Sequence, residues 1–239
     1  MSSFSLLAKS CHDIDWIHWI MGRHCIKTQS FGGLYHFRRE NKPAGAGSRC
    51  LECAVENECA YSAKKIYLDS ARAGNTGWPV SIIVPGPVTE EGVIAALTDG
   101  PYGRCVYECD NDVNDNQVVN MLFDNGATAS FSMVAFTKEI CVRKTRIFGT
   151  RGELEGDGEH LIRHFDFLTN VTTNITPDAT AHGTSTLTGH GYGDFYLTRD
   201  FIDAVLADDQ SKILSGPREV AMPACLLAAL ASSPRLVLY

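Results

Sequence analysis

The chain of 239 residues is 44% hydrophobic and 21% charged, proportions that exclude a disordered, collagen-like or coiled-coil protein and leave room for a sizeable core. A formal net charge of -7 removes any general pull toward nucleic acid or an anionic membrane. The longest apolar runs, such as residues 224–231, fall far short of the roughly 20 residues that a membrane-spanning helix needs.

Residues 1–7 carry neither a basic stretch nor a long apolar one, and Lys9, His12 and Asp13 follow at once. No secretory signal is expected, and the expected location is the cytoplasm. From Cys11 to Met21, the residues Ile14, Ile17, Ile20 and Met21 recur at three- to four-residue spacing, which predicts an amphipathic helix. Ser10 and Asp13 have the spacing of a capping box, with Asp in place of Glu. Cys25 to Phe37 is rich in Ile, Thr, Phe and Tyr and predicts a strand bent at Gly32-Gly33. Residues 38–58, with Gly, Pro and Cys, read as a long loop.

Thr89 to Asp99 predicts a second helix: Thr89 can cap it, Glu90 and Glu91 suit its first turn, and Gly100-Pro101 ends it. From Arg104 onward the pattern changes to short β-rich runs, at 105–109, 117–123, 127–136 and 145–148. Asp124-Asn125-Gly126 predicts a hairpin turn, because Asn-Gly accepts positive φ angles. Two helices, Tyr192 to Leu206 and about Pro217 to Ala231, close the chain. This order predicts an α+β fold, one domain with helices packed on one face of an antiparallel sheet. Tyr107, Trp78, Phe131, Phe136 and Phe148 are expected in the sheet and interface core rather than as ligand platforms.

The nine cysteines are an odd number in a chain this large and read as reduced thiols or metal ligands rather than a disulfide framework. Cys50-x-x-Cys53, with Cys59 close behind, is the spacing of a zinc half-site. Three thiols are one short of a closed tetrahedral site. Cys11, Cys25 or His36 could complete it after folding, and reduced, unliganded thiols are the other reading.

Several runs share a further likeness. They are Leu6-Leu7-Ala8-Lys9-Ser10-Cys11-His12-Asp13-Ile14-Asp15, Gly100-Pro101-Tyr102-Gly103-Arg104-Cys105, Asp110-Asn111-Asp112-Val113, residues 126–131, residues 148–154 and Gly189-His190-Gly191-Tyr192-Gly193-Asp194. In this order they resemble the C-terminal domain of the Gfo/Idh/MocA oxidoreductases, whose fold is of the dihydrodipicolinate-reductase or glyceraldehyde-3-phosphate-dehydrogenase C-terminal type. In that family an N-terminal Rossmann domain binds NAD(P), and the C-terminal domain supplies a sugar or polyol pocket, a general acid/base and an oligomer interface. No Gly-x-Gly-x-x-Gly follows a strand here; Gly45-Ala46-Gly47-Ser48-Arg49-Cys50 fails at its last position. The chain is therefore expected to be a C-terminal half, a single domain that needs NAD or NADP on a nucleotide-binding domain supplied in cis or in trans, and inactive alone.

Imidazole titrates near neutral pH, so His12 suits the proton transfer that accompanies oxidation of a hydroxyl; a structural histidine at a helix start is the plainer reading. The resemblance implies His12 as the acid/base and His190 and Asp194 as pocket residues. Lys9 is a second candidate acid/base, because a desolvated lysine can lose its proton readily. Asp13 and Asp15 are candidates for binding substrate hydroxyls, although carboxylates favour a first helical turn in any case. Relatives usually carry an Asp four residues before the His, where this chain has Ala8. A dehydrogenase half is thus expected, working on a small hydroxyl compound and assembled as a homo-oligomer through its sheet. The alternatives are a non-catalytic binding or oligomerisation module and, behind it, an NAD-dependent glycosidase.

Overall fold

The computed structural model describes residues 5–138, 142–158, 160–176, 191–213, 216 and 237–238. Two compact units divide the chain: Met1–Ala135 with Pro223–Tyr239, and Phe136–Met222. Within the first, helix α1 (Ser5–Ala8) leads into α2 (Cys11–Met21), strand β1 (Cys25–Gly33), α3 (Asp69–Arg72), α4 (Val80–Ile83), α5 (Glu90–Asp99) and the hairpin strands β2 (Asn116–Phe123) and β3 (Thr128–Val134). The second carries β4 (Thr145–Phe148), β5 (Gly152–Gly156), β6 (Ile162–Asp166), β7 (Val171–Ile175) and α6 (Gly193–Ala207). A short strand β8 (Val237–Leu238) returns to the first unit and pairs with β1. The sheets are antiparallel, in the orders β3-β2-β1-β8 and β4-β5-β6-β7. This is the α+β class expected from the sequence.

The first sheet alternates as a half-buried strand should. Along β2, Val119, Met121 and Phe123 point inward while Val118 and Asn120 face out. The inward residues meet Leu6 and Ile14 of the opening helices, with Ile17, Met21, Ala129 and Phe131 around them. A hairpin at Asp124-Asn125-Gly126 joins β2 to β3, with Gly126 at φ 84°, as its Asn-Gly pair predicts. A second core lies among the loop and short helices: Cys50, Leu68, Val80, Ile83, Val93 and Leu97. There Arg49 caps the end of α5, its guanidinium donating to the carbonyls of Leu97 (2.9 Å) and Gly100 (2.6 Å). Gly103 packs so tightly on that helix end that a Cβ would lie 1.7 Å from the Leu97 oxygen.

Helices α2, α5 and α6 match their predicted spans to within about a residue. Thr89 caps α5 as expected, accepting from Gly92 N–H at 3.1 Å. The capping box at Ser10 does not form. Ser10 N–H is already bonded to Leu6 O at 3.1 Å, so α1 runs almost directly into α2 and the Ser10 side chain is buried. Strand β1 stops at Gly33, and its register slips between Cys25 and Lys27 rather than at the glycines. Residues 105–109 form a turn, not a strand, because Cys105 N–H and Cys50 N–H are consumed by an isolated bridge between the loop and the chain after α5. Trp78 (52% exposed) and Phe148 (71%), expected in core, stand open in the single chain. The helix expected at 217–231 lies outside the described residues.

Candidate functional site

The residues expected to carry chemistry fall into two places in the first unit, with a third set in the second. Lys9, His12, Asp13 and Asp15 are gathered at the start of α2, where Ile14 anchors the helix in the core and turns its other face outward. The His12 ring is half exposed, 48%, and its Nε2 lies 3.8 Å from Asp13 Oδ2, whose side chain is only 15% exposed. Cys11 Sγ is 3.9 Å from His12 Nδ1. An accessible imidazole beside a shielded carboxylate can accept a proton and be held cationic afterward. Trp16 and Trp19, four and seven positions beyond His12, extend the same helical stripe and are 42% and 63% exposed. The sequence signal for them was that spacing, overlooked because the Ile set alone defines the helix.

Asp194 sits in the first turn of α6, in the second unit, with its backbone carbonyl accepting from Thr198 Oγ1 at 2.8 Å. His190 lies outside the described residues.

Cys50, Cys53 and Cys59 line one small cavity, together with Glu56, Tyr61, Ser62, Tyr107 and a thiol the sequence reading placed in a strand, Cys105. Cys53 N–H donates to Cys50 O at 3.3 Å, which makes a tight turn of the Cys-x-x-Cys run, and Gly47 N–H donates to Cys53 Sγ at 3.4 Å. Among the described residues, no three His, Cys, Asp or Glu side chains are grouped as a ready metal site. The expected three-thiol zinc half-site is therefore not assembled; Cys53 Sγ accepts from Gly47 N–H, and Cys50 is bonded to the Ala63 backbone. Burial pushes the Cys50 thiol up from its ordinary value, against the Ala63 backbone bond that lowers it, with the neighbouring Cys105, Cys59 and Cys53 raising it further. Cys11 and Cys25 pack on the helix and sheet core instead. His36 joins Phe37, Tyr61 and Tyr107 in an edge-to-face aromatic cluster, with Tyr107 Oη 3.3 Å from His36 Nε2.

Asp115 locks this cluster in place. Its carboxylate accepts backbone N–H groups from Tyr35 (2.9 Å), His36 (2.6 Å) and Phe37 (3.0 Å), and Asn116 adds a side-chain donor. Burial alone would push this carboxyl up, but the donors outweigh it and hold it below the usual carboxylate range.

A model of the oxidoreductase family's C-terminal alpha/beta domain matches residues 2–231. The chain belongs to the Gfo/Idh/MocA oxidoreductase family. "Putative oxidoreductase YteT" of Bacillus subtilis (strain 168) is 24% identical over 202 residues, covering 80% of this chain and 45% of that protein. The crystal structure of an oxidoreductase domain protein from Kribbella flavida superposes with a TM-score of 0.56 at 17% identity, over 96% of this chain and 49% of that one. This Gfo/Idh/MocA chain thus spans about half the length of the relatives it matches, and the likeness to the solved structure carries its fold. Among the described residues, no helix is long and apolar enough to cross a membrane.

Proposed function

We propose that this C-terminal domain supplies the substrate pocket and the proton-transfer residue of an NAD(P)-dependent dehydrogenase acting on a sugar, polyol or related hydroxyl compound. The observation that carries the reading is His12, an accessible imidazole in the first turn of α2 beside the shielded carboxylate of Asp13. Oxidation of a secondary alcohol releases the hydroxyl proton, and His12 is the group placed to take it. Lys9 and Asp15, within one turn of it, are the groups for binding substrate hydroxyls or sharing the proton. Asp194 and His190 are further pocket residues in this reading.

The Gly45-Ala46-Gly47 run does not fit a dinucleotide. Gly45-Ala46-Gly47 enters a turn and loop rather than a helix N-terminus, so the oriented amides that cradle a pyrophosphate are missing there. NAD or NADP belongs, in this reading, to a nucleotide-binding domain in cis or in trans, and supplies the hydride acceptor when bound. The outward face of the first sheet bears Phe31 beside Val118, 59% and 37% exposed, with Val134 nearby, which supports a homo-oligomer through that sheet.

Ala8 favours a second reading, a non-catalytic binding or oligomerisation module, because it leaves that helix position without the carboxylate relatives carry. Titration calorimetry separates the two. NAD(H) and NADP(H) are titrated into the purified chain and into the chain joined to a nucleotide-binding half, and turnover is followed on a panel of sugars and polyols. Binding and turnover in the joined protein support the dehydrogenase; binding without turnover on any hydroxyl compound supports the module.

A further inference from the structure

The sheet of the second unit has two edges, β4 and β7, and they are built differently. On one side β4 has only four residues, holds Arg146 and follows Lys144. Short length and charge are how a sheet edge resists pairing with another chain. On the other side β7 has neither charge nor any break. Its sequence, Val171-Thr172-Thr173-Asn174-Ile175, is mostly β-branched, which favours extended backbone, and no residue from Phe167 to Thr176 is charged. Every residue of β7 is exposed, and its register on β6 runs from Val171 to Ile175 without a bulge. Asp166 fixes the turn that delivers it, accepting from the N–H groups of Leu168 (2.8 Å) and Thr169 (2.9 Å). In an antiparallel ladder alternate residues bond to alternate sides. Among the described residues no strand lies beyond β7, so it turns a row of N–H and C=O groups outward.

We propose that β7 pairs antiparallel with β7 of a second copy of this chain, about a two-fold axis through Thr173, joining the two sheets into one. A two-fold axis requires a strand that reads alike from both ends, and this one does. Val171 meets Ile175, Thr172 meets Asn174, and Thr173 meets its own copy. Opposed β-branched and Thr–Thr pairs are stabilising. The ladder within the sheet selects the same register. Ile175 lies beside Ile162, Thr173 beside His164, and Leu154 beside Ile147, so Val171, Thr173 and Ile175 belong to the apolar face. Arg146, Glu155, Arg163 and Asn174 form one row on the other face. Pairing about Thr173 sets apolar face beside apolar face and charged beside charged. A slip of one residue sets Val171 against Asn174 and inverts one copy's faces relative to the other's. The turn before β7 also carries Phe167 and Leu168, 53% and 93% exposed, past the end of the other copy's strand. A strand pair this short buries less than a standard interface, so the dimer is reversible and concentration-dependent. This edge is distinct from the outward face of the first sheet, and the inference does not rest on the dehydrogenase reading.

The test follows the full chain by sedimentation velocity over a concentration series. Val118→Asp, which charges the outward face of the first sheet, keeps any association through that face out of the measurement, and a reversible dimer should persist in it. In that background Thr173→Lys and Thr173→Asp should each weaken the dimer by at least about tenfold, because like charges then oppose on the axis. An equimolar mixture of the two should regain the dimer, a recovery that requires Thr173 to face its own copy. Should either charged variant fail to fold, Thr173→Cys decides: oxidation with a diazenedicarboxamide, which is reduced to the hydrazine as two thiols become one disulfide, should link the two introduced thiols, as peptide mass spectrometry of the dimer reports. A Val118→Asp chain that stays monomeric, a Thr173→Lys chain that dimerises as before, a mixture without recovery, or no link between the introduced thiols would each overturn the β7 pairing.

Discussion

The two cores of the first unit differ in what they leave exposed. Where α2 packs on the sheet, the apolar set is joined by buried Ser10, Thr28, Ser30 and Gln117, while His12 is half exposed, with Trp16 and Trp19 beside it. Where the loop packs on α5, the polar groups face in. Cys50, Cys105, Tyr107, Glu56 and Ser62 are all buried, with Glu56 accepting from Ser62 Oγ and paired to Lys64 at 3.0 Å. A buried polar group left unsatisfied destabilises the fold, and the contacts among Glu56, Ser62 and Lys64 meet that demand in the loop core. At the helix start the His12 side chain is 48% exposed and accessible to a ligand. The proposed reading accordingly puts substrate chemistry at α2 and stabilisation at the loop.

The sharpest way to break this contrast is His12→Asn in the protein joined to its nucleotide-binding half. Turnover should fall by about 10²–10⁴-fold, with an unfolding free energy that changes by less than about 0.5 kcal/mol because the ring is exposed. Equal loss of stability and activity would make His12 a structural residue and erase the distinction. Phe123→Ala tests the other side of the same core. Phe123 is 1% exposed among Leu6, Ile14, Val119 and Met121, and its truncation should cost about 3–5 kcal/mol in denaturant unfolding.

Asp115→Asn probes the loop side. An amide cannot reproduce three N–H bonds to a carboxylate, and charged hydrogen bonds are worth about 1.5–3 kcal/mol each with partial compensation; a loss of about 2–3 kcal/mol is expected by urea unfolding at neutral pH. The folded carboxyl lies below its unfolded value of about 3.9. Its contribution is therefore full above that value and is lost as pH falls through the folded one. Wild-type stability should drop on acidification below about pH 4, and the Asn variant should show a shallower acid limb. Identical acid limbs would remove Asp115 as the clamp.

Much of this was legible in the sequence where the signal is local. Asp124-Asn125-Gly126 marks its hairpin, with Gly126 at positive φ and Asn125 Oδ1 accepting from Ala127 N–H, while α2 announces itself by apolar periodicity and α5 by its cap and its Gly-Pro stop. The strands β5, β6 and β7 gave no such signal. Gly152-Glu153-Leu154-Glu155-Gly156 is short and charged, and every residue of β7 is exposed, so neither alternation nor hydrophobicity marks them. At the candidate sites, Cys50, Cys53 and Cys59 were visible by spacing, whereas Cys105 reaches them only through the bridge between Arg49 and Arg104. Pairing between distant segments is set by the fold and leaves no local trace. Asp115 escaped for the same reason, since its donors lie on residues 35–37.

The smallest effect discriminates between the two helices whose starts look alike in sequence. Thr89 is extended, at φ -128° and ψ 158°, and its hydroxyl accepts from Gly92 N–H. Ser10, at φ -104° and ψ 8°, lacks the extended backbone that aims a capping side chain at the helix, and it makes no cap bond. Thr89→Ala should cost about 1 kcal/mol, whereas Ser10→Ala, which removes no cap, should not show that loss. The two variants, compared by thermal unfolding under one condition, also report on how α1 joins α2. If Ser10→Ala proves as costly as Thr89→Ala, a cap forms at Ser10 in solution, and the start of α2, with Lys9 and His12 on it, is arranged differently from the continuous turn seen here.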